Sequence, residues 1–411
     1  MKPVLHITSK KLTDKSFDLL GSSKDIYSRI EYFNKRNILV DRISTNVNLK
    51  DLYNKLKYIN KNNYSEILIE HSPSIFVQIY LYIKFGKIIY RSHNAEFYHR
   101  LHIFIYNLKH FFNGILLNNK KIGLRNFVLI LYRTFIVYLL NIFRFLARDL
   151  LTSILSKKIF SNCEWEKKNY WDYFAKSKTF NATPFLSGKY LNKMNSEEDI
   201  MKIKENIIII SGSMHPNPIS YEQIASVVEL KSLKQKDIFK KFKFLVTGKV
   251  SNGILNFLLK QKINELNNFF LYNDKNMYNK DKELRNFETN QNTGLMKDFK
   301  ILGNEDYLTY YDLLKKSKAM LFLTKAGFGF KNKSLEAYAT KNSLIMPKGL
   351  AERFPSELKQ IVYSYDKIYD LLDILIDIDK KTNFVSDDLN GLIRKSSFKS
   401  YDKVFLNNEI I

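Results

Sequence analysis

The chain has 411 residues, 45% of them hydrophobic and 26% charged, which is enough for two globular domains with sizeable cores. Its single cysteine, Cys163, excludes an internal disulfide and a metal cluster built on cysteines. The formal net charge of +25 is compatible with nucleic acid, an anionic membrane or anionic substrates as partners. The lysines are spread along the chain, and neither a basic arm nor a nucleic-acid reader motif is present, which disfavours nucleic acid.

Apolar strand-like runs alternate with helical patterns through the first part of the chain. The strand-like runs cover residues 4–7, 37–40, 66–70 and 87–91. The helical patterns cover Ser22 or Ser23 to about Lys35, then 49–60 and 74–85. This alternation predicts a parallel sheet covered by helices on both faces. Because ligands gather at the carboxyl ends of such strands, His93, Asn94 and Glu96 are candidate site residues.

Residues 97–155 form a long apolar segment with a helical pattern, densest at 127–151. Its polar residues lie within an arc of roughly 100° on a helical wheel, and Ile130 and Val137 interrupt this polar stripe. The polar residues are Asn126, Arg133, Thr134, Asn141, Arg144 and Arg148. Arginines inside the segment argue against a helix that spans a membrane. Two interpretations remain: a helix mostly buried in the first domain, or an in-plane helix on an anionic membrane with arginines near lipid phosphates.

The alternation resumes after the apolar segment and predicts the end of the first sheet and a second sheet. Strand-like runs cover residues 157–162, 178–184, 206–211 and 319–323. A polar stretch, 191–205, is the linker candidate, and the polar run 272–297 reads as an insertion. The expected boundaries are 1–190 for a first domain that includes the apolar segment 104–155, 206–380 for a second domain, and 381–411 for a tail. A return of that tail to the first domain stays open.

A glycine-rich loop joins an apolar strand to a helix that begins near Lys333. Strand, glycine loop and helix start present free backbone N–H groups and a positive dipole end to an anion. Lys331 and Lys333 add positive charge there, and Gly327 and Gly329 allow a close backbone approach. Glu336 lies one helical turn beyond Lys333, where its carboxylate can accept two hydrogen bonds from a ribose diol. The run is therefore typical of a site for a nucleotide sugar.

This run resembles the donor-site motif of GT-B glycosyltransferases, in particular the family 4-like branch (glycosyl transferases group 1). Further segments are similar to that family in the same order along the chain: Arg91 to Glu96, Ile210 to Asn217, Phe244 to Gly248, and Ile301 to Gly303 followed by Tyr310 to Leu314. There is one departure. Many members carry a further glutamate eight positions before the one that matches Glu336, and this chain has Phe328 there.

The resemblance implies an α/β protein of the GT-B class, with two Rossmann-like doubly wound domains facing across a cleft. It places the nucleotide mainly on the second domain and the acceptor mainly on the first. The catalytic residues that it implies are His93, Lys333 and Glu336. The substrate-binding residues that it implies are Gly21, Asn94, Glu96, Gly212, Ser213, Gly327, Gly329, Lys331 and Ser334.

Glu96 is expected to orient His93 or to bind the acceptor. Glu336 is expected to lie off the apolar face of its helix, so that its replacement leaves the fold intact. No metal or other cofactor is expected, because no Asp-x-Asp element suits a cation, and no cysteine lies near His99 and His102, which tyrosine, phenylalanine and arginine surround.

We therefore expect a glycosyltransferase that transfers a sugar from a nucleotide-diphosphate donor to a glycan or lipid-linked acceptor in cell-surface polysaccharide or lipopolysaccharide synthesis. Retention of the anomeric configuration and metal independence are what the resemblance implies. No secretory signal is visible, so the expected location is the cytoplasm or the inner face of the cytoplasmic membrane. Two hypotheses of other classes stay open: a non-catalytic membrane-associated GT-B scaffold, and a basic nucleic-acid-binding protein. Nucleotide binding and turnover separate the three.

Overall fold

The structure is a computed structural model. It describes residues 2–9, 21–45, 48–70, 73–93, 95–102, 104–105, 132, 136, 138–194, 204–211, 226–227, 229–230, 233, 236–247, 299–303, 307–324, 330–380 and 388–406. Over these residues the chain forms two parallel sheets of six strands each, covered by helices. This is the α/β architecture that the strand–helix alternation predicts.

The first sheet contains the strands β1 Val4–Ser9, β2 Val40–Thr45, β3 Glu66–Glu70, β4 Ile88–Arg91, β5 Ser156–Ser161 and β6 Thr179–Asn181. Their order is β2-β1-β3-β4-β5-β6, and every neighbouring pair is parallel. Its helices are α1 Gly21–Lys35, α2 Leu49–Leu56, α3 Ile75–Phe85, α4 Tyr138–Leu155 and α5 Gly188–Met194.

Both faces of the first sheet are buried, because successive side chains of a strand point to opposite faces. On one face, Leu5 and Ile69 pack against the apolar residues of α2 and α3. On the other face, Leu68 and Ile89 pack against Tyr32 of α1 and against the last helix of the chain. The carboxyl ends of all six strands consequently meet at one edge, where the candidate residues follow β4.

The second strand begins later than the sequence predicts. The expected range was 37–40, whereas β2 begins at Val40. Asn37 has a φ of 52°, and the backbone N–H of Ile38 donates to the Phe33 carbonyl at 2.9 Å. This geometry is a left-handed cap that closes α1. The residues before Val40 therefore end the helix instead of pairing in the sheet.

The described part of the long apolar segment is helical, at 96–102 and in α4. Most of the segment between these helices, including Asn126, Arg133 and Thr134, lies outside the described residues. Among the helices that the structure describes, none combines the length and the apolar character needed to cross a membrane.

The second sheet contains the strands β7 Glu205–Ser211, β8 Lys243–Thr247, β9 Phe299–Gly303, β10 Ser317–Leu321, β11 Ser343–Pro347 and β12 Val362–Tyr365. Their order is β12-β11-β10-β7-β8-β9, again parallel throughout. The longer helices of this half are α6 Tyr307–Lys316, α7 Lys333–Ala339 and α8 Leu371–Lys380, followed by α9 Leu389–Phe405. The sequence pattern did not predict β11, β12 or α8.

Shorter helical turns connect these elements. They are Lys61–Asn63, Glu164–Glu166, Lys167–Trp171, Asp172–Ala175, Lys176–Lys178, Asp237–Lys240, Lys348–Ala351, Ser356–Ile361 and Ile368–Asp370.

The last helix, α9, returns from the second sheet to the first. At its start, Asn390 accepts a hydrogen bond from the Leu186 N–H at 2.8 Å and donates to the Leu186 carbonyl at 3.0 Å. Near its end, Asp402 accepts from Arg36 at 2.6 and 2.9 Å and from the Tyr32 hydroxyl at 3.1 Å. Both contacts join α9 to the first half of the chain.

The two halves also share a hydrophobic core. Tyr190 and Met194 of α5 lie in the same buried cluster as Leu335 of α7 and Met320 of β10. The predicted linker, 191–205, thus begins inside α5 and ends on the first residue of β7. The face of the second sheet that carries α7 is covered partly by elements of the first domain.

Candidate functional site

Helix α7 carries the residues of the predicted donor motif. β10 ends at Leu321, and α7 begins at Lys333. Ser334 fixes the first turn, since its backbone N–H and its hydroxyl donate to the Lys331 carbonyl at 2.8 and 2.5 Å. The Ser334 hydroxyl is thereby used within the turn. Gly327 and Gly329, the loop glycines of the motif, lie outside the described residues.

The structure corrects the expected position of Glu336. The sequence placed this side chain off the packing face of its helix, but Glu336 is fully buried, together with Ser334, Leu335 and Ala337. The reason is that α7 is covered from two directions. Leu335 packs into the core of the second domain, and Glu336 meets α1 of the first domain.

The partner of Glu336 on α1 is Lys24. Its ammonium contacts the Glu336 carboxylate, and the exposed fractions of the two side chains are 2% and 0%. The same ammonium lies 5.8 Å from the centre of the Tyr190 ring. The donor-type helix of the second domain and the first helix of the first domain are therefore joined by a buried ion pair. Lys24 was not among the site residues predicted from the sequence.

Positive charge is concentrated beside Glu336. Burial lowers the pKa of Lys331 to about 8, and the nearby Arg353 guanidinium contributes to this decrease. Burial likewise lowers the pKa of Lys333 to about 8. The Lys333 ammonium lies 5.4 Å from the centre of the Tyr310 ring. An anion bound among these groups would favour their charged forms, so the cluster is chemically suited to a phosphate or diphosphate.

His93 lies at the carboxyl end of β4, with 11% of its side chain exposed. Its Nδ1 is 3.4 Å from an Asp25 oxygen, and its Nε2 is 3.2 Å from a Glu70 oxygen. The side-chain amide of Asn162 donates to the His93 carbonyl. Contacts at both ring nitrogens and at the backbone fix the orientation of the imidazole.

Two arginines keep the carboxylates beside His93 charged. Arg29 donates to Asp25 at 2.7 Å and to Glu70 at 2.6 Å, and Arg91 donates twice to Asp25 at 3.0 Å. Burial alone would raise the pKa of Asp25, but Arg29 and Arg91 outweigh it and lower that pKa to about 2. The pKa of Glu70 is also well below its usual value, because Arg29 and hydrogen bonds from the histidines outweigh its burial.

Asp25, Glu70 and His93 are also the one group among the described residues with the composition and spacing of a metal site. One ligand atom from each lies within 4.8 Å of the others. However, Arg29 and Arg91 already bond the same carboxylate oxygens. A divalent cation would have to displace these guanidinium groups or sit beside them. The donor set thus fits the positioning of a histidine better than the binding of a cation.

Of the other predicted site residues, Gly21 is the first residue of α1. Glu96 forms an ion pair with Arg100 at 3.8 Å, whereas the carboxylates that contact His93 are those of Asp25 and Glu70. The expectation that Glu96 orients His93 is therefore wrong. Three predicted residues, Asn94, Gly212 and Ser213, lie outside the described residues.

The helix at 96–102 lies near the lysine cluster of the second domain. Burial lowers the pKa of His99 to about 4, with Lys331 among the positive groups that reinforce the decrease. Burial also lowers the pKa of His102, and Arg353 adds to it. Positive groups beside both imidazoles disfavour a cation there.

A cavity of about 430 Å³ opens where both domains meet α9. Acidic, basic, amide and aromatic side chains line it, among them Glu164, Trp165, Asn169, Asn181, Arg353 and Lys359. The Arg353 guanidinium lies 5.4 Å from the centre of the Trp165 ring. Because Arg353 also acts on Lys331, this cavity neighbours the lysine cluster. Its mixed lining suits a ligand rich in hydroxyl groups.

Sequence reasoning missed Asp25 and Glu70 as well as Lys24. A signal existed for Glu70 and Arg91, since each is a charged residue that ends an otherwise apolar strand run. Charged groups in such positions are rarely buried unless they are paired. No comparable local signal marks Lys24, whose partner lies in the other domain.

No protein-family model matches the chain, and no curated protein is detectably similar to it. Solved structures do resemble it. Alr3699/HepE of Anabaena, in complex with UDP, matches with a TM-score of 0.51 and 11% identity, over 98% of this chain and 95% of that one. Its complex with UDP and glucose gives 0.50 and 12%, over 98% and 96%. The catalytic domain of starch synthase IV from Arabidopsis thaliana, bound to ADP and acarbose, gives 0.56 and 8%, over 99% of each chain. The chain therefore has the GT-B fold.

Proposed function

We propose that this protein is a glycosyltransferase that takes a sugar from a nucleoside-diphosphate donor and passes it to a glycan or lipid-linked acceptor. The observation that carries the proposal is the cluster of the half-buried Lys331 and Lys333 with the buried Glu336 at the start of α7, within a GT-B fold. The cluster offers positive charge for a diphosphate and a carboxylate for a ribose diol. UDP and ADP in the structures of similar fold support a nucleoside diphosphate as the ligand.

The lysines carry the electrostatic part of the proposed reaction. When the bond from the anomeric carbon to the diphosphate breaks, its electron pair stays on the leaving nucleoside diphosphate. Lys333 and Lys331 stabilise that growing charge in an interior where Coulomb interactions are strong. Helix α7 has only seven residues, so its dipole contributes less than the two ammonium groups. Retention of the anomeric configuration belongs to the proposal through the resemblance.

His93 is proposed to contact the donor sugar near its reacting carbon. Asp25 and Glu70 hold the ring, so its exposed part presents a fixed edge to a ligand. The polar cavity beside Arg353 supports an acceptor rich in hydroxyl groups. Gly21, Asn94, Glu96, Gly212, Ser213, Gly327 and Gly329 remain proposed contacts of the donor or acceptor.

A panel of nucleoside diphosphates and nucleotide sugars, followed by a turnover assay, tests the proposal. A ligand that binds only the folded state raises the melting temperature in proportion to the logarithm of its concentration over Kd. We expect at least one nucleoside diphosphate to stabilise the protein, and its sugar conjugate to be hydrolysed or transferred. EDTA should leave turnover unchanged. Absence of stabilisation by every nucleotide would contradict the donor site, and loss of turnover in EDTA that Mg²⁺ restores would contradict metal independence.

The acceptor is proposed to reach the enzyme at the inner face of the cytoplasmic membrane, in the synthesis of a cell-surface polysaccharide or lipopolysaccharide. The observation that favours this location is the orientation of α4. Its large apolar side chains Leu140, Phe143 and Ile154 are 58–64% exposed, and Phe76 and Ile83 of the neighbouring α3 are 73% and 77% exposed. The inward face of α4 carries the buried polar residues Asp149 and Thr152 together with Ile142. A lipid surface would cover the outward apolar face.

A further inference from the structure

The buried pair of Lys24 and Glu336 is not explained by stability. Removing two opposite charges from water costs several kcal/mol per ion in general, and well-packed apolar residues of similar volume often serve a fold equally well. The pair nevertheless joins α1 to α7, with both side chains almost fully buried. An expensive pair in the proposed donor site points to a role in binding.

The charges of the cluster point to the ligand. Lys24, Lys331 and Lys333 with Glu336 carry a formal net charge of +2 when all are ionised. That excess matches a diphosphate. Glu336 also has capacity left, because its Oε2 accepts no hydrogen bond from any residue that the structure describes. A buried carboxylate oxygen without a donor is costly. A ribose diol would provide two donors at that position.

We propose that Lys24 is a diphosphate ligand that the first domain supplies across the cleft, and that Glu336 holds it in place while the site is empty. This inference rests on the proposed donor site. On nucleotide binding, the ribose hydroxyls take over the Glu336 carboxylate, and the Lys24 ammonium turns to the diphosphate. Lys24 exchanges a carboxylate for phosphate oxygens, and Glu336 exchanges an ammonium for two hydroxyls. Neither buried charge loses its partner during the exchange.

The exchange changes what joins the two domains. In the empty protein, the ion pair ties α1 directly to α7. In the complex, the nucleotide itself bridges the same two helices, with its ribose on Glu336 and its diphosphate on Lys24. The phosphate groups should therefore depend on Lys24 much more than the nucleoside part does.

Titration calorimetry with UDP, ADP, uridine and adenosine tests whether binding of the phosphate groups depends on Lys24 more than binding of the nucleoside does. The variants are Lys24→Met and, as a matched control, Lys189→Met, because the Lys189 ammonium lies 5.6 Å from the same Tyr190 ring but its side chain is exposed. We expect Lys24→Met to weaken binding of the preferred diphosphate about tenfold or more, the effect of one lost charge-assisted hydrogen bond. Affinity for the nucleoside should stay equal or rise, since Glu336 is released. Lys189→Met should change neither.

A second pair of variants removes the buried unpaired charge that Lys24→Met creates. Glu336→Gln releases Lys24, and Lys24→Met with Glu336→Gln removes both charges. We expect the double variant to bind the diphosphate about tenfold or more weakly than Glu336→Gln alone, again by one charge-assisted contact. Equal diphosphate affinity within either pair, or an equal loss for diphosphate and nucleoside, would overturn the role of Lys24. A wild-type protein that binds neither UDP nor ADP would overturn the proposed donor site itself.

Discussion

The lysines beside α7 make the proposed donor site sensitive to pH. The pKa values of Lys331 and Lys333 lie at about 8, compared with 10.5 for an ordinary lysine, because burial disfavours the charged ammonium. Above pH 8 the empty cluster therefore loses positive charge, and a diphosphate must draw protons back when it binds. We expect nucleoside-diphosphate affinity to fall from pH 7 to pH 9, with proton uptake on binding near pH 8.5.

Calorimetry in two buffers of different ionisation enthalpy measures that uptake. Lys333→Met should reduce it, whereas Lys189→Met, in an exposed side chain, should not. The free energy of unfolding changes with pH in the opposite direction to the affinity. Between pH 8 and 10.5 the unfolded chain binds more protons at these two lysines than the folded chain, so they make the free energy of unfolding rise with pH. Affinity that is constant across this range would show that the lysines do not meet the ligand.

At the scale of single residues, the local sequence pattern predicted part of the candidate site and missed several of its buried charged residues. Lys331, Lys333 and Glu336 were found together because a loop and one helical turn bring them together. Lys24 and Glu70 were missed because their partners come from distant parts of the chain. The burial of Glu336 was mispredicted for the same reason. The apolar pattern of one helix reports packing inside its own domain, and α1 belongs to the other domain.

Among the elements, α4 buries several polar side chains and exposes several large apolar ones. Asp149 accepts from the Tyr170 hydroxyl at 2.5 Å, and Thr152 donates to Gln78 at 3.2 Å, so the polar side faces the domain. Arg148 is paired with Asp149 at 3.3 Å and stacks on Phe145. The described part of the segment thus combines buried residues, among them Ile142, with the large exposed side chains of Leu140, Phe143 and Ile154.

The outward side of α4 should bind lipid. We expect the wild-type protein to sediment with anionic liposomes and less with neutral ones, since the net charge of +25 adds attraction that salt screens. Leu140→Ser with Phe143→Ser should reduce sedimentation and leave the melting temperature unchanged, because both side chains are largely exposed. Leu39→Ser is the control, with a similar exposed fraction of 61% beside the edge strand β2. Equal sedimentation of both variants would contradict a membrane role for α4.

Element prediction succeeded where periodicity was strong and failed where cap chemistry or weak signals decided. The strand at 66–70 was placed correctly because its apolar run is bounded by polar residues. β2 was misplaced because Leu39 and Val40 look continuous with Ile38, and only the positive φ at Asn37 reveals the helix cap. β11 was overlooked although every residue of it is buried. Such a short apolar run cannot be told from a buried helix by periodicity alone.

For the whole molecule, the order of the motifs along the chain was enough to predict a GT-B fold, because each motif marks a strand end in one of two sheets. The return of α9 could not be placed in the same way. Its pattern is weakly amphipathic because the helix changes partners along its length. Leu389 and Ile393 lie in the core shared with the second sheet, and Tyr401 and Val404 lie in the core of the first. No single apolar face therefore repeats along the whole length of α9.

The end of α9 should be important for the stability of the first domain. Asp402 accepts two hydrogen bonds from Arg36 and one from Tyr32, whose pKa burial and the Asp402 charge raise. We expect Asp402→Asn to cost about 1–2 kcal/mol, less than a fully buried pair because Arg36 is 40% exposed to solvent. That loss corresponds to a melting temperature roughly 2–8 °C lower for domains of this size. Asp237→Asn is the control, because Asp237 is 92% exposed and pairs only with Lys240 among its described neighbours. Equal melting temperatures for the two variants would show that Asp402 contributes nothing to the attachment of α9 to the first domain.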